Sequence, residues 1–289
     1  MASTQDIRRR IKSVKNTGQI TKAMQMVASA KMRKAQQVAL AGRPFALLMN
    51  KVIVSVRDRV ELDLHSLLEQ REINTELVVH VSTNRGLCGA LNTNLNREVA
   101  KLSGKNVEFV SVGRKGKQFL ARTRRNIIAD FDLPDSPTFK DSKVISKFCI
   151  ERFLAGDVDR VSVAFSFFQN TLTQIPTIRT ILPLTPLQIE GLTSEDAERE
   201  EAAGTDYLFE PSAGEVLEAI LPYYIHYHLY QTILNARASE HSARMVAMKN
   251  ATENAKELVK DLTLEYNKVR QASITTELLE ITTAQMAVS

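Results

Sequence analysis

Tryptophan is absent from this 289-residue chain, and cysteine occurs only twice. Two cysteines can build neither a disulfide scaffold nor a cysteine-rich zinc module. Glycine (11 residues) and proline (8 residues) are scarce too. Together they make up about 7% of the chain, against about 12% in average proteins. A chain this poor in turn-formers is expected to be rich in helix. No apolar run approaches the roughly 18 residues that a membrane-spanning helix requires. Aromatic residues are only 6%, too few for a platform that stacks single-stranded nucleic acid. What remains is ordinary for a globular protein: 44% hydrophobic and 25% charged residues, enough to bury a core. The length suggests about two domains.

The net charge of +5 is unevenly spread. Residues 1–60 carry 13 Lys and Arg against Asp6 and Asp58, and residues 190–218 carry ten acids against Arg199. Blocks of opposite sign imply two differently charged partners, or one face with two zones. The basic N-terminal arm reads either as a solvated helix face or as the footprint of an acidic partner, and composition does not separate the two. The Arg-rich start contains Asp6, and its periodic pattern runs beyond any cleavable length, so a cytoplasmic chain without a targeting segment is expected.

The positions of the breakers outline the architecture. Residues 1–41 hold only Gly18, and residues 223–289 hold neither Gly nor Pro. Stretches this long read as a coiled coil or a very long helix. Capping-box patterns open both segments, Ser3 with Asp6 and Ser212 with Glu215. Ile7, Ile11 and Val14 step by four and three, and Ile20, Met24 and Val27 repeat the step. Ala255, Val259, Leu262, Tyr266 and Val269 follow the same rhythm, continued by Ile274, Leu278 and Ile281. This is a narrow heptad-like seam, with several small or polar members: Gly18, Thr21, Ala28 and Ala35. Helices over about 4–58 and 213–289 would pair antiparallel and leave about 22 residues, roughly 33 Å, of the second unpaired.

Between them the periodicity changes. Short β-prone runs at 77–82, 107–112, 126–131 and 160–167 alternate with helical patterns at 90–103, 114–122 and 142–155. A Pro-flanked edge strand follows at 175–183. Such alternation predicts βαβ units and a mostly parallel, Rossmann-like sheet. The acidic stretch 190–206 reads as a loop. The expected fold is therefore α/β with a long antiparallel coiled coil. Its parts are an N-terminal coiled-coil helix at 1–58, an inserted α/β domain at 75–190 and a C-terminal coiled-coil helix at 207–289.

Catalytic motifs fail on inspection. The turn at Gly86, Leu87, Cys88, Gly89 and Ala90 lacks the third glycine of a dinucleotide fingerprint. It also lacks the glycine two places after a nucleophile that an elbow needs. Cys88 reads as a small packed residue. Gly116 and Lys117 are followed by Gln118 rather than Ser or Thr, so no phosphate loop forms. His226 and His228 point apart on a helix, and His65, His80 and His241 have no ligand pattern around them. Met24, Met26 and Met32 read as packing residues. Nothing here is similar to a helix-turn-helix or zinc finger, so a nucleic-acid-binding coiled coil rests on the basic arm alone.

Several stretches resemble one family, the gamma subunit of F-type ATP synthase. They are Ile-Arg-Arg-Arg-Ile-Lys-Ser-Val-Lys-Asn-Thr (7–17), Ile-Thr-Lys-Ala-Met-Gln-Met-Val-Ala-Ser-Ala-Lys-Met-Arg-Lys (20–34), and Ser-Thr-Asn-Arg-Gly-Leu-Cys-Gly-Ala-Leu-Asn (82–92). Asp-Tyr-Leu-Phe-Glu-Pro (206–211) follows. The last are Ala-Arg-Met-Val-Ala-Met-Lys-Asn-Ala-Thr-Glu-Asn-Ala (243–255) and Tyr-Asn-Lys-Val-Arg-Gln-Ala-Ser-Ile-Thr-Thr-Glu-Leu-Leu-Glu-Ile (266–281). The matches are collinear and span nearly the whole chain. In the tail, Ile274, Thr275, Glu277 and Glu280 fit the family pattern, while Ala284 and Gln285 stand where Gly-Ala is usual.

The resemblance implies a rotating central stalk of the ATP synthase, peripheral to the cytoplasmic face of a bacterial inner membrane. Its partners would be a hexamer of alpha and beta subunits, the epsilon subunit and the membrane c-ring. Proton or sodium flow through the ring would turn the shaft, while ATP chemistry stays in the beta subunits. The chain itself would be non-catalytic, bind no nucleic acid and need no cofactor or metal. The resemblance assigns Arg270, Gln271 and Thr275 to a catch on a beta-subunit loop. It assigns Lys22, Met24, Met245 and Met248 to the bearing, and Tyr207, Phe209 and Glu210 to the base on epsilon and the c-ring. It implies no thiol regulation, because the cysteine-pair insertion of the plastid form is missing.

Overall fold

A computed structural model describes residues 4–57, 66–102, 106–184 and 209–288. Ser3, His65, Tyr207 and the acidic stretch 190–206 lie outside the described residues. The elements run α1 (Thr4–Ala41), α2 (Arg43–Arg57), β1 (Glu76–Val81), α3 (Leu91–Lys101), β2 (Val107–Val112) and α4 (Arg114–Arg122). Then come β3 (Asn126–Phe131), α5 (Phe139–Leu154), β4 (Arg160–Phe168), β5 (Gln174–Leu182) and α6 (Ala213–Val288). The chain forms two compact units: residues up to Ser29 with those from Arg244 onward, and Ala30–Ala243.

The larger unit is built on a five-stranded sheet of order β3-β2-β1-β4-β5. β1 pairs in parallel with both β2 and β4, β3 extends β2 in parallel, and β5 runs antiparallel at the edge. Crossovers between parallel strands are right-handed. The chain moves outward from β1 to β3, then jumps back across β1 to β4, so α5 lands on the face opposite α3 and α4. Strand alternation matches this layering. Val78, Phe109 and Ala164 pack with Leu95, Val99 and Leu120 on one side. Leu77, Val79, Val81, Val163 and Phe165 pack with Phe153 of α5 and with Leu221, Ile225 and Leu229 of α6 on the other. Both faces are covered, which is why the strands read as nearly continuous apolar runs. β5 tolerates Pro176 because its outer side has no ladder to complete.

The sequence pattern places one helix over 4–58; the structure breaks it at Gly42. Pro44 has no N–H to donate, and its ring would collide with the carbonyl four residues back, that of Leu40. It is accommodated in the first turn of a new helix. The Gly42 carbonyl instead accepts a hydrogen bond from the Tyr227 hydroxyl at 2.5 Å. α5 starts three residues earlier than its pattern suggests, because Thr138 and Asp141 form a capping box. The expected pair at the start of α6 also forms: the Glu215 N–H donates to Ser212 Oγ at 3.3 Å.

The smaller unit is an antiparallel helix pair. A Cβ built on Gly18 would lie 3.3 Å from that of Ala255, and the hydroxyls of Thr21 and Thr252 meet at 2.7 Å. Three residues forward on α1 thus correspond to three residues back on α6. The shielded side of α6 runs through Met248, Thr252, Ala255, Val259, Leu262, Tyr266 and Val269, as its spacing predicts. On α1 the seam runs through Ile7, Ile11, Val14, Gly18, Thr21, Met24 and Ala28. Ile20 and Val27 are not on it, being 61% and 55% exposed. Close helix approach selects small side chains at the seam and turns these two outward. Continued to the end, the register sets Thr4 opposite Val269. About 19 residues of α6, roughly 28 Å, therefore extend past the partner helix.

Candidate functional surfaces of the sheet crevice and the helix pair

In an open parallel sheet, ligands bind where the strand order reverses, outside the carboxyl ends of the strands. Here that point lies at the ends of β1 and β4, and it is filled. Arg237 and Glu240 of α6 form an ion pair at 2.8 Å, both almost fully buried. Arg237 also donates to the carbonyl of Leu133 at 3.1 Å. A void of about 10 Å³ remains between them and Ser82, Thr83 and Asn92, no more than one water molecule needs. Sequence reading missed this pair. The available signal was an Arg–Glu i,i+3 pair flanked by Ala236, Ala238 and Ser239, small residues that let a helix approach closely.

The turn after β1 is held by its own side chains. Asn92 Nδ2 donates to Thr83 Oγ1 at 2.8 Å and to Cys88 Sγ at 3.3 Å, which leaves Cys88 a buried packing residue. Asn84 Nδ2 donates to Asp132 at 2.8 Å. Ser82 Oγ accepts the Gly116 N–H at 2.7 Å, and Gly113 has φ 102° where any side chain would strike the Ser82 carbonyl. The glycines therefore serve close packing rather than a phosphate.

The histidines separate as their spacing predicts. His226 Nδ1 meets Ser146 Oγ at 2.6 Å, deep between α5 and α6, and burial with the nearby Lys143 charge lowers its pKa. His80 is fully buried with both ring nitrogens unpartnered, and burial pushes its pKa down to about 4. Among the described residues no cluster of His, Cys, Asp and Glu could hold a metal ion.

The residues singled out from the resemblance fall into two groups. Lys22, Met24, Met245 and Met248 belong to the helix pair. Lys22 is exposed, Met24 and Met245 are half-buried, and Met248 is buried, its carbonyl accepting from Thr252 at 2.8 Å. Lys22 borders a groove of about 280 Å³ whose rim also carries Lys15 and Lys256 and whose floor includes Gly18. Arg270, Gln271 and Thr275 are all exposed on the unpaired part of α6. The Arg270 guanidinium lies 6.0 Å from the Tyr266 ring, and Thr275 donates to the Gln271 carbonyl at 2.9 Å. In the larger unit, Phe209 is half-buried against the main core and Glu210 is exposed.

Around Arg270 the helix end has a chemistry of its own. Ile274, Leu278, Leu279, Ile281 and Met286 are exposed, Met286 by 79%. Thr276, Thr282 and Thr283 each donate to a carbonyl of their own helix, as Thr275 does. The hydroxyls are satisfied internally, so methyl groups face outward. Sequence reading missed Leu279, Met286 and these threonines because no spacing rule distinguishes a helix face without a partner.

A doubly covered α/β unit with a closed ligand crevice and a second unit made of an antiparallel helix pair with exposed apolar residues at its end define an α/β protein with long terminal helices. The family model described as ATP synthase matches residues 3–288. The chain is 52% identical to the ATP synthase gamma chain of Opitutus terrae and 51% identical to that of Methylacidiphilum infernorum, over 99% of each chain in both cases. It belongs to the ATP synthase gamma-chain family. Among solved structures it is similar to a chain of the Euglena gracilis mitochondrial ATP synthase OSCP/F1/c-ring assembly (TM-score 0.68, 22% identity, covering 99% of this chain and 94% of that one). A chain of the rotor of the same enzyme is also similar (TM-score 0.63, 21% identity, covering 94% and 98%). No described helix is long and apolar enough to cross a membrane.

Proposed function

We propose that this gamma chain is the torque-transmitting central shaft of an ATP synthase and performs no chemistry itself. The observation that carries the reading is the bare end of α6. A shaft that turns inside a ring must break and remake its contacts on every turn. Apolar side chains and threonine methyls make non-directional contacts, whereas a row of directional bonds would lock one angle. The closed crevice between β1 and β4 supports a role without catalysis, because a nucleotide has no room there. Synthesis and hydrolysis then belong to the beta subunits of a surrounding alpha–beta hexamer.

In this reading Lys22, Met24, Met245 and Met248 lie along the bearing, and Arg270, Gln271 and Thr275 form a catch on a beta-subunit loop. Tyr207, Phe209 and Glu210 form the base on the epsilon subunit and the c-ring, through which protons or sodium ions flow. The shaft is built from the segments 1–58, interrupted at Gly42, and 207–289, and the base domain from the segment 75–190. The assembly sits on the cytoplasmic face of a bacterial inner membrane, with this chain peripheral. The test is to attach a rotation probe through Leu172→Cys, an exposed site between β4 and β5, in the complex reassembled with its alpha and beta subunits. Cys88 and Cys149 are buried and do not compete for the label. Unidirectional turning on addition of ATP is expected. A stationary probe during steady ATP hydrolysis would refute the rotor assignment.

A further inference from the structure

A cavity of about 290 Å³ opens in the larger unit between the end of α1, α2, α6 and the β4–β5 edge of the sheet. That is near the lower end of small-molecule pockets, about 300–1,000 Å³. One wall is aromatic, with Phe165 of β4 and Tyr224 of α6, both nearly fully buried. Arg179 of β5 stands over the Phe165 ring at 5.9 Å from its centroid, and among the described residues no carboxylate pairs with it. His228 lines the same space, kept neutral by burial and by the Arg179 charge.

The polar groups of the cavity are unequally occupied. The Tyr227 hydroxyl donates to the Gly42 carbonyl at 2.5 Å and accepts from Gln231 Nε2 at 2.6 Å. Asn235 Oδ1 accepts the Phe168 N–H at 2.6 Å, which leaves the Asn235 amide N–H groups without a bond. Among the described residues the Arg179 guanidinium has no acceptor either, and no acidic one lines the cavity. An aromatic slot with unspent donors and an unpaired cation matches an apolar body carrying one anionic head.

We propose that this cavity binds a small aryl monocarboxylate, with its ring among the half-buried Phe167, Tyr227 and His228 and its carboxylate on Arg179. The proposal does not depend on the rotor reading. The fork geometry of guanidinium suits the two carboxylate oxygens.

The test uses the assembled complex, an aryl-diazirine benzoate photoprobe and its uncharged benzyl alcohol counterpart, with labelled peptides mapped by mass spectrometry. Saturable benzoate labelling is expected on peptides carrying Arg160–Phe168 and Tyr224–Asn235. The alcohol should label them far less. Arg179→Gln, an exposed edge-strand change, should weaken benzoate binding about ten-fold, the loss of one charge-assisted bond. Arg179→Lys should retain part of it. Labelling that fails to saturate, maps elsewhere, is matched by the alcohol or is unchanged in Arg179→Gln overturns the proposal. Labelling lost in Arg179→Gln and partly kept in Arg179→Lys supports it.

Discussion

Thr21 and Thr252 meet hydroxyl to hydroxyl at 2.7 Å across the helix pair. Each hydroxyl also has a carbonyl of its own helix within reach, Met248 for Thr252 at 2.8 Å and Gly18 for Thr21 at 3.1 Å, so either one can supply the proton that crosses the seam. One turn away, a Cβ on Gly18 would press on that of Ala255 at 3.3 Å. The pair is held by closeness and one shared proton rather than by a broad apolar stripe.

Gly18→Ala should be close to neutral. The gain in helix propensity, about 1 kcal/mol, offsets the crowding against Ala255. Gly18→Leu should cost about 1–3 kcal/mol through overpacking and should push the helices apart. A Cys pair at Val14 and Val259 would report this, forming a disulfide readily with Gly18 and slowly with Leu at that position. Equal rates would mean that Gly18 is not a contact.

Arg270→Ala combined with Gln271→Ala should leave the complex assembled but cut ATP turnover and coupled ion pumping several-fold. A charge-assisted hydrogen bond is worth about 1.5–3 kcal/mol, enough to bias one rotary position and weak enough to break on every turn. Lys at position 270 should recover only part, because the planar fork is lost. Wild-type turnover in the double variant would move torque transmission to packing elsewhere along the shaft.

Arg237→Ala should destabilise the chain by about 3–5 kcal/mol, because it removes the ion-pair partner of the buried Glu240 carboxylate. Arg237→Met with Glu240→Leu should recover most of that loss, since apolar replacement of both partners removes the desolvation cost as well. Denaturant unfolding of the three chains measures the difference. A double variant as weak as the single one would show that the carbonyl of Leu133 depends on Arg237.

Stability should fall as pH drops from about 6.5 towards 4. His80 has its folded pKa lowered to about 4 from the usual 6.5. Between those values the unfolded chain binds a proton that the folded chain refuses, so stability rises with pH through this window. The full loss amounts to about 3 kcal/mol. His228 acts in the same direction but adds less, being only half-buried beside a cavity that water can enter. Thermal melts of wild type and His80→Leu across this range should show a steep acid limb in the first and a shallower one in the second. Parallel curves would point to other groups.

Local pattern determined much of this protein by itself. The 4-3 spacing from Ala255 to Val269 and the alternation of short β-prone runs with helical ones are written within a few neighbouring residues. Steric period and propensity act over that distance, so strands, helices and their order were legible. Only the tertiary structure decided which α1 residues face the partner. By composition Ile20 and Val27 look like seam residues, yet the close approach of α6 favours Gly18, Thr21 and Ala28. It also decided that a new helix starts after Gly42 with Pro44 in its first turn, the Gly42 carbonyl being taken by Tyr227 from far along the chain. The closing of the sheet crevice is of the same kind. Arg237 and Glu240 become a plug because α6 returns across the ends of β1 and β4, and no local spacing rule records where a distant segment comes to rest.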